Sequence, residues 1–88
     1  MVSATVSVVN PQGFHMRPAN LFAQAMGKFQ SDVTLRRGES AVDGKSIMNI
    51  MAACIRQGDT LTVECAGADE DAALSAALEL IRSGLGDL

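Results

Sequence analysis

His15 is the single histidine of the chain and its one imidazole nucleophile near neutral pH. It stands in the segment Asn10-Pro11-Gln12-Gly13-Phe14-His15-Met16-Arg17-Pro18-Ala19, directly after a Pro/Gly turn and at the head of an apolar-periodic run. A helix starting there aims unpaired N–H groups and its positive dipole end outward, which makes an anion site. Arg17 adds a planar cationic fork suited to phosphate oxygens. Pro18 presets the first turn, where its missing N–H costs no hydrogen bond. These parts suit a phosphoryl group carried on nitrogen.

Other chemistries lack their residues. The sequence has no Walker-type Gly-rich loop, no paired-Asp magnesium site and no Ser-His-Asp set, so nothing equips it to draw a phosphoryl group from a nucleotide. It is expected to be a carrier rather than an enzyme, with an enzyme on each side. One imidazole makes a poor metal site, and Cys54 and Cys65 do not have ligand spacing. The two thiols are read as reduced, small buried hydrophobes. No metal and no cofactor is expected.

With 88 residues, the chain has room for one domain over positions 1–88 and one modest core. Three Phe with neither Trp nor Tyr make that core aliphatic and argue against base stacking on single-stranded nucleic acid. A net charge of −3 removes the basic footprint of a nucleic-acid binder. No apolar run approaches the ~20 residues of a membrane span. The opening Met1-Val2-Ser3-Ala4-Thr5 lacks the basic start and long apolar stretch of a signal peptide, so a cytoplasmic location is expected.

The elements that must position His15 follow from periodicity. Val2, Ala4, Val6 and Val8 alternate with polar residues as a strand that buries one face. A helix is predicted over roughly 16–27, with Leu21, Phe22, Ala25, Met26 and Phe29 as its apolar stripe and Gly27 at its end. Val33 and Leu35 mark a second strand, Arg37-Gly38-Glu39 a hairpin turn, and Ser40 to Asp43 a third strand. Ser46 is placed to cap a short helix carrying Ile47, Ile50, Met51 and Cys54, which Gly58-Asp59 stops. Thr60 to Ala66 alternates again, with Leu61, Val63 and Cys65 on one face. Asp69 is predicted to cap a last helix with Glu70 and Asp71 in its first turn and the stripe Leu74, Leu78, Ile81 and Leu85. The order β-α-β-β-α-β-α with one-sided strands predicts an α+β open-faced β-sandwich: a four-stranded antiparallel sheet covered on one face by three helices.

The segment Gly13-Phe14-His15-Met16-Arg17-Pro18-Ala19 resembles the active-site segment of HPr, the histidine-containing phosphocarrier family of the bacterial phosphoenolpyruvate:sugar phosphotransferase system. Lys45-Ser46-Ile47-Met48 is similar to that family's second signature, and the likeness runs the whole chain at matching spacing. The resemblance implies that His15 accepts a phosphoryl group on Nδ1 from phosphorylated enzyme I and passes it to sugar-specific EIIA domains, with Arg17 pairing to the phosphate. Met16 and Phe14 depart from the small Ala and the Leu usual at these places. Both are read as partner contacts on an exposed apolar rim, and Gly13 and Pro18 as structural. An HPr-like regulatory protein, either a catabolite-repression corepressor or a nitrogen-branch phosphocarrier, is the alternative that the resemblance leaves open.

Ser46 has a structural role as a helix cap, worth ~1 kcal/mol. The resemblance adds a second: the matching serine is phosphorylated by HPr kinase/phosphorylase in many Gram-positive bacteria, creating a corepressor for the regulator CcpA. A phosphate at a helix N-terminus is compatible with the fold. Ile47, Met48, Ile50 and Met51 are too many apolar positions for one buried stripe. Ile50 is expected inward, with Ile47, Met48 and Met51 as an adaptable partner surface. A monomer is expected, since a carrier must leave its active end open to successive partners.

Overall fold

A computed structural model of the chain describes residues 1–86. Strands β1 (Val2–Ser7), β2 (Asp32–Arg37), β3 (Ser40–Asp43) and β4 (Thr60–Ala66) alternate with helices α1 (Met16–Met26), α2 (Ile47–Ala52) and α3 (Glu70–Arg82) in the order β1-α1-β2-β3-α2-β4-α3. The strands form one antiparallel sheet in the spatial order β1-β4-β2-β3. This is the open-faced arrangement expected from the alternation of apolar and polar residues.

Register explains why one face is dry. Val6 lies opposite Leu61, Leu35 opposite Val63 and Val33 opposite Cys65, and all six are buried. Because side chains alternate across a strand, the residues between them emerge on the other face. There Arg36 and Glu64 form a bidentate pair, with Nε–Oε2 and Nη2–Oε1 both 3.1 Å; being exposed, it adds little stability.

The helices meet the dry face by stripes that differ from those predicted. In α1 the buried residues are Pro18, Ala19, Phe22, Ala23 and Met26, while Leu21 is exposed and Ala25 and Phe29 are half-buried. In α3 the innermost line is Ala73, Ala77 and Ile81, and Leu74 and Leu78 flank it half-buried. Small alanines let the helix axis approach β1 and β4 closely, so the leucines fill the edges instead. Leu85 is buried as expected, but from beyond the helix. Gly84 takes φ +89°, and Leu85 N–H reaches back to the Leu80 carbonyl at 3.0 Å while Gly84 N–H bonds that of Ile81 at 3.2 Å. This double closure satisfies the final carbonyls and folds Leu85 under the helix end.

The expected cap of α3 is also corrected. Asp69 makes no side-chain cap bond to α3. Its carboxylate instead accepts the N–H groups of Gln30 and Ser31, each at 2.9 Å, and the Ser31 hydroxyl. It thereby ties the α1–β2 connection to the start of α3. The Ser31 hydroxyl, followed by the backbone N–H groups, holds the Asp69 carboxyl below its ordinary value of 3.8. A lowered native pKa means that this stabilisation is complete above the unfolded value and is lost as pH falls through the native one. Asp69→Asn is expected to lower the melting temperature at pH 7 and to flatten its decline between pH 5 and pH 2. Parallel wild-type and variant melting curves across that range would contradict the assignment.

Candidate functional site

The turn before α1 is built by Asn10 and Gly13. Asn10 is fully buried; its Nδ2 donates to the Gly13 carbonyl at 2.6 Å, and Gly13 N–H donates to the Asn10 carbonyl at 3.1 Å. Gly13 takes φ +61°, and a Cβ there would collide with the Ile55 carbonyl oxygen and lie 2.8 Å from Arg56 Cα. Only glycine allows that approach. The next residue uses it, as Phe14 N–H donates to the Ile55 carbonyl at 3.1 Å.

His15 follows at the N-cap position in extended conformation, with φ −74° and ψ −173°. Its carbonyl accepts the first helical bond, from Ala19 N–H at 2.9 Å. The His15 side chain makes no cap hydrogen bond to the helix, and the first turn holds no acidic residue, so the positive end of α1 lies beside the imidazole. His15 is half-buried, and Arg17 is exposed one position beyond Met16. His15 and Arg17 share with Pro11 and Gln12 an open depression of about 290 Å³. An imidazole, a guanidinium and a helix N-terminus therefore converge on one small anion-sized hollow.

The other candidate residues fall into distinct places. Gly13 and Pro18 are buried beneath the site. Phe14, expected on an exposed rim, is instead only 3% exposed, packed edge-on to Phe22 with ring centroids 5.5 Å apart. Phe14 enters the core from the turn that precedes the helix, whereas Met16, already in the first turn of α1, projects outward at 66% exposure. On α2, Ile50 is inward and Met48 is 82% exposed; Met51 is exposed and Ile47 half-buried against the core. Ser46 does cap α2, its Oγ accepting Asn49 N–H at 3.3 Å.

Cys54 departs from its expected burial. It is exposed, with φ +53°, whereas Cys65 is buried, and burial pushes the Cys65 thiol up. Among the described residues no group of His, Cys, Asp and Glu could hold a metal ion.

One residue at the site had no signal in the sequence. Arg37, read as part of a hairpin turn, closes β2 and reaches across to the end of α2. Its guanidinium donates to the carbonyls of Ala53 at 2.6 Å and Cys54 at 2.9 Å and pairs with Asp59 at 3.0 Å. Terminal helix carbonyls and a cation attract each other, so Arg37 fixes the loop whose Ile55 carbonyl holds Phe14. Asp59 also accepts Arg56 N–H at 2.8 Å; that bond first, then Arg37, holds its carboxyl below the ordinary range. The partners lie 16–22 positions away from Arg37 in sequence, beyond any local pattern.

Comparison with known proteins bears on this constellation. The family model described as "PTS HPr component phosphorylation site" matches residues 2–83. The chain belongs to the HPr family. It is 43% identical over 83 residues to phosphocarrier protein HPr of Treponema pallidum, covering 94% of each chain. The structure of HPr-C-His from Thermoanaerobacter tengcongensis superposes with a TM-score of 0.95 at 36% identity, covering 100% of this chain and 99% of that one. Crh, the catabolite-repression protein of Bacillus subtilis, matches at a TM-score of 0.77 and 34% identity in a swapped, intertwined dimer, covering 96% and 97%. The HPr fold and membership of the phosphotransferase-system phosphocarriers are thus established. Among the described residues no helix is long and apolar enough to cross a membrane.

The packing of Gly13 generates a stability prediction. Gly13→Ala should cost at least about 2 kcal/mol, from the left-handed backbone and the collision with Ile55 together. Urea unfolding measures it; a loss below about 0.5 kcal/mol would show that the loop yields freely.

Proposed function

We propose that the protein is a phosphocarrier in which His15 Nδ1 takes a phosphoryl group from phosphorylated enzyme I and delivers it to EIIA domains of sugar permeases. The observation that supports this best is the convergence of His15, Arg17 and the uncapped start of α1 on one hollow. The neutral ring, protonated on Nε2, attacks phosphorus through the Nδ1 lone pair. The N–P bond forms as the bond from phosphorus to the donor breaks, and that electron pair leaves with the donor. Arg17 and the open helix end meet the phosphoryl oxygens. The reverse sequence passes the group on. His15 holds the group, and the partner enzymes supply the remaining catalytic groups, so the protein itself is not an enzyme.

Met16, Met48 and Met51 lie exposed and provide a deformable apolar contact suited to several partners. Phe14 has no part in that surface. The carrier works in the cytoplasm as a monomer, because a permanent partner over the His15 end would block both exchanges. Of the two regulatory alternatives, the catabolite-repression corepressor, nearer to Crh, is disfavoured by His15, since the family resemblance associates pure repression relatives with loss of that residue; a nitrogen-branch phosphocarrier would keep the same histidine.

Ser46 extends the reading to control by HPr kinase/phosphorylase and the regulator CcpA. Its hydroxyl caps α2 two positions before Met48, so a phosphate there would place about two negative charges inside the proposed docking surface while remaining favourable to the helix end.

Incubation with phosphoenolpyruvate, magnesium and enzyme I should give an acid-labile, alkali-stable adduct on wild-type protein and none on His15→Ala. A labelled His15→Ala protein would sink the assignment. A purified HPr kinase with ATP should label wild-type protein but not Ser46→Ala; absence of incorporation would remove Ser46 from the scheme.

A further inference from the structure

We propose that Arg56 is a second guanidinium for the phosphoryl group at His15, acting with Arg17 but from a different element of the fold. The proposal rests on the carrier reading and adds a residue to it.

Arg56 is carried to the site by backbone geometry. Its N–H donates to Asp59 Oδ2 at 2.8 Å, and its carbonyl accepts Asp59 N–H at 3.1 Å, so the Arg56 main chain is closed into a tight turn. That turn lies against Gly13, where an added Cβ would be 2.8 Å from Arg56 Cα. His15 follows Gly13 by two residues and is held by the adjoining Phe14–Ile55 bond. Arg56 thus leaves a fixed backbone beside the His15 turn, on a long stem that can reach over it.

Charge points the same way. Arg56 is exposed; its side chain borders the hollow of Arg37, Cys54 and Asp59, where its charge adds weakly to the lowering of the Asp59 carboxyl, and a swing of the stem takes it to the neighbouring hollow of His15 and Arg17. The acid of its own turn, Asp59, is taken by Arg37 at 3.0 Å. Although the chain carries a net charge of −3, positions 10–30 and 44–58 contain no Asp or Glu. These are the two segments that meet at Gly13, and their charged residues are all cations: Arg17, Lys28, Lys45 and Arg56. Asp59, which follows the second segment, is neutralised by Arg37, so within an acidic protein this cationic stretch raises the local concentration of anions and favours negative charge that accumulates there.

During transfer the phosphoryl group spreads its charge over three equatorial oxygens. Arg17 has one planar fork, which two of those oxygens fill. Arg56 offers a second fork for the oxygen left over. A cation so placed favours the dianionic form and therefore lowers the second ionisation of the phosphoryl group on His15.

The test compares wild type with Arg56→Gln and Arg56→Lys. Phosphorylation by phosphoenolpyruvate and enzyme I is followed for rate, and the phosphohistidine is titrated by phosphorus NMR. Arg56→Gln is expected to lose roughly three- to tenfold in kcat/KM, as one exposed charge-assisted contact is removed. It should also raise the phosphoryl ionisation pKa, and Arg56→Lys should restore most of both. A merely structural role would leave that ionisation unmoved. Equal rates and equal phosphoryl titrations in wild type and Arg56→Gln would overturn the role of Arg56 while leaving the carrier intact. Failure of wild-type protein to be labelled at all would instead overturn the carrier reading, and Arg56 with it.

Discussion

The hydrogen bond from Phe14 N–H to the Ile55 carbonyl, 3.1 Å long, joins two loops far apart in sequence and fixes the start of α1 against the second. It forms because Gly13 has no Cβ to keep the 55–56 backbone away. Everything that distinguishes the His15 end depends on that approach. Phe14 is drawn inward against Phe22, His15 is left at an uncapped helix start, and Arg56 comes alongside. The Gly13 turn is thereby a close contact between main chains, with little tolerance for added atoms.

The loop on the other side of that bond needs support of its own. Cys54 occupies a left-handed conformation at the end of a six-residue helix, a short element with limited intrinsic stability. Arg37 offsets this by holding the two carbonyls that the helix end leaves open, and Asp59 neutralises the arginine while bonding Arg56 N–H. Three polar groups thus shape the turn without burying an unpaired charge. At the far end of the molecule, Asp69 does comparable work between the α1–β2 connection and α3. In both places a side chain chosen for local capping or turn chemistry is used over a distance.

Much of the fold was legible in the residue pattern. Period-two alternation in Val33–Leu35 and Leu61–Cys65 is a direct image of a sheet with one dry face, and the seven elements appear in the predicted order. The helix faces were less legible. Leu21 and Leu74 outrank Ala19 and Ala73 in any count of hydrophobicity, yet the alanines are innermost, because α1 lies close to the neighbouring helices and α3 close to β1 and β4, and close approach favours small side chains over greasy ones. Cys54 is a related case: its residue type points to the core, and a left-handed backbone turns it outward.

At the site, the sequence alone determined the chemistry. A lone His15 after Gly13, with Arg17 and Pro18 behind it, specifies a nitrogen at a helix start with a cation at hand, since capping and dipole effects act within one turn. The family likeness in the same residues is local for the same reason. Only the tertiary structure decided which neighbours belong to that nitrogen. It withdrew Phe14 into the core, left Met16 and Met48 exposed, and brought Arg37, Asp59 and Arg56 to the loop beneath. Those contacts depend on how the 53–59 segment packs on Gly13, and packing between segments distant in sequence leaves no periodicity in the chain to read.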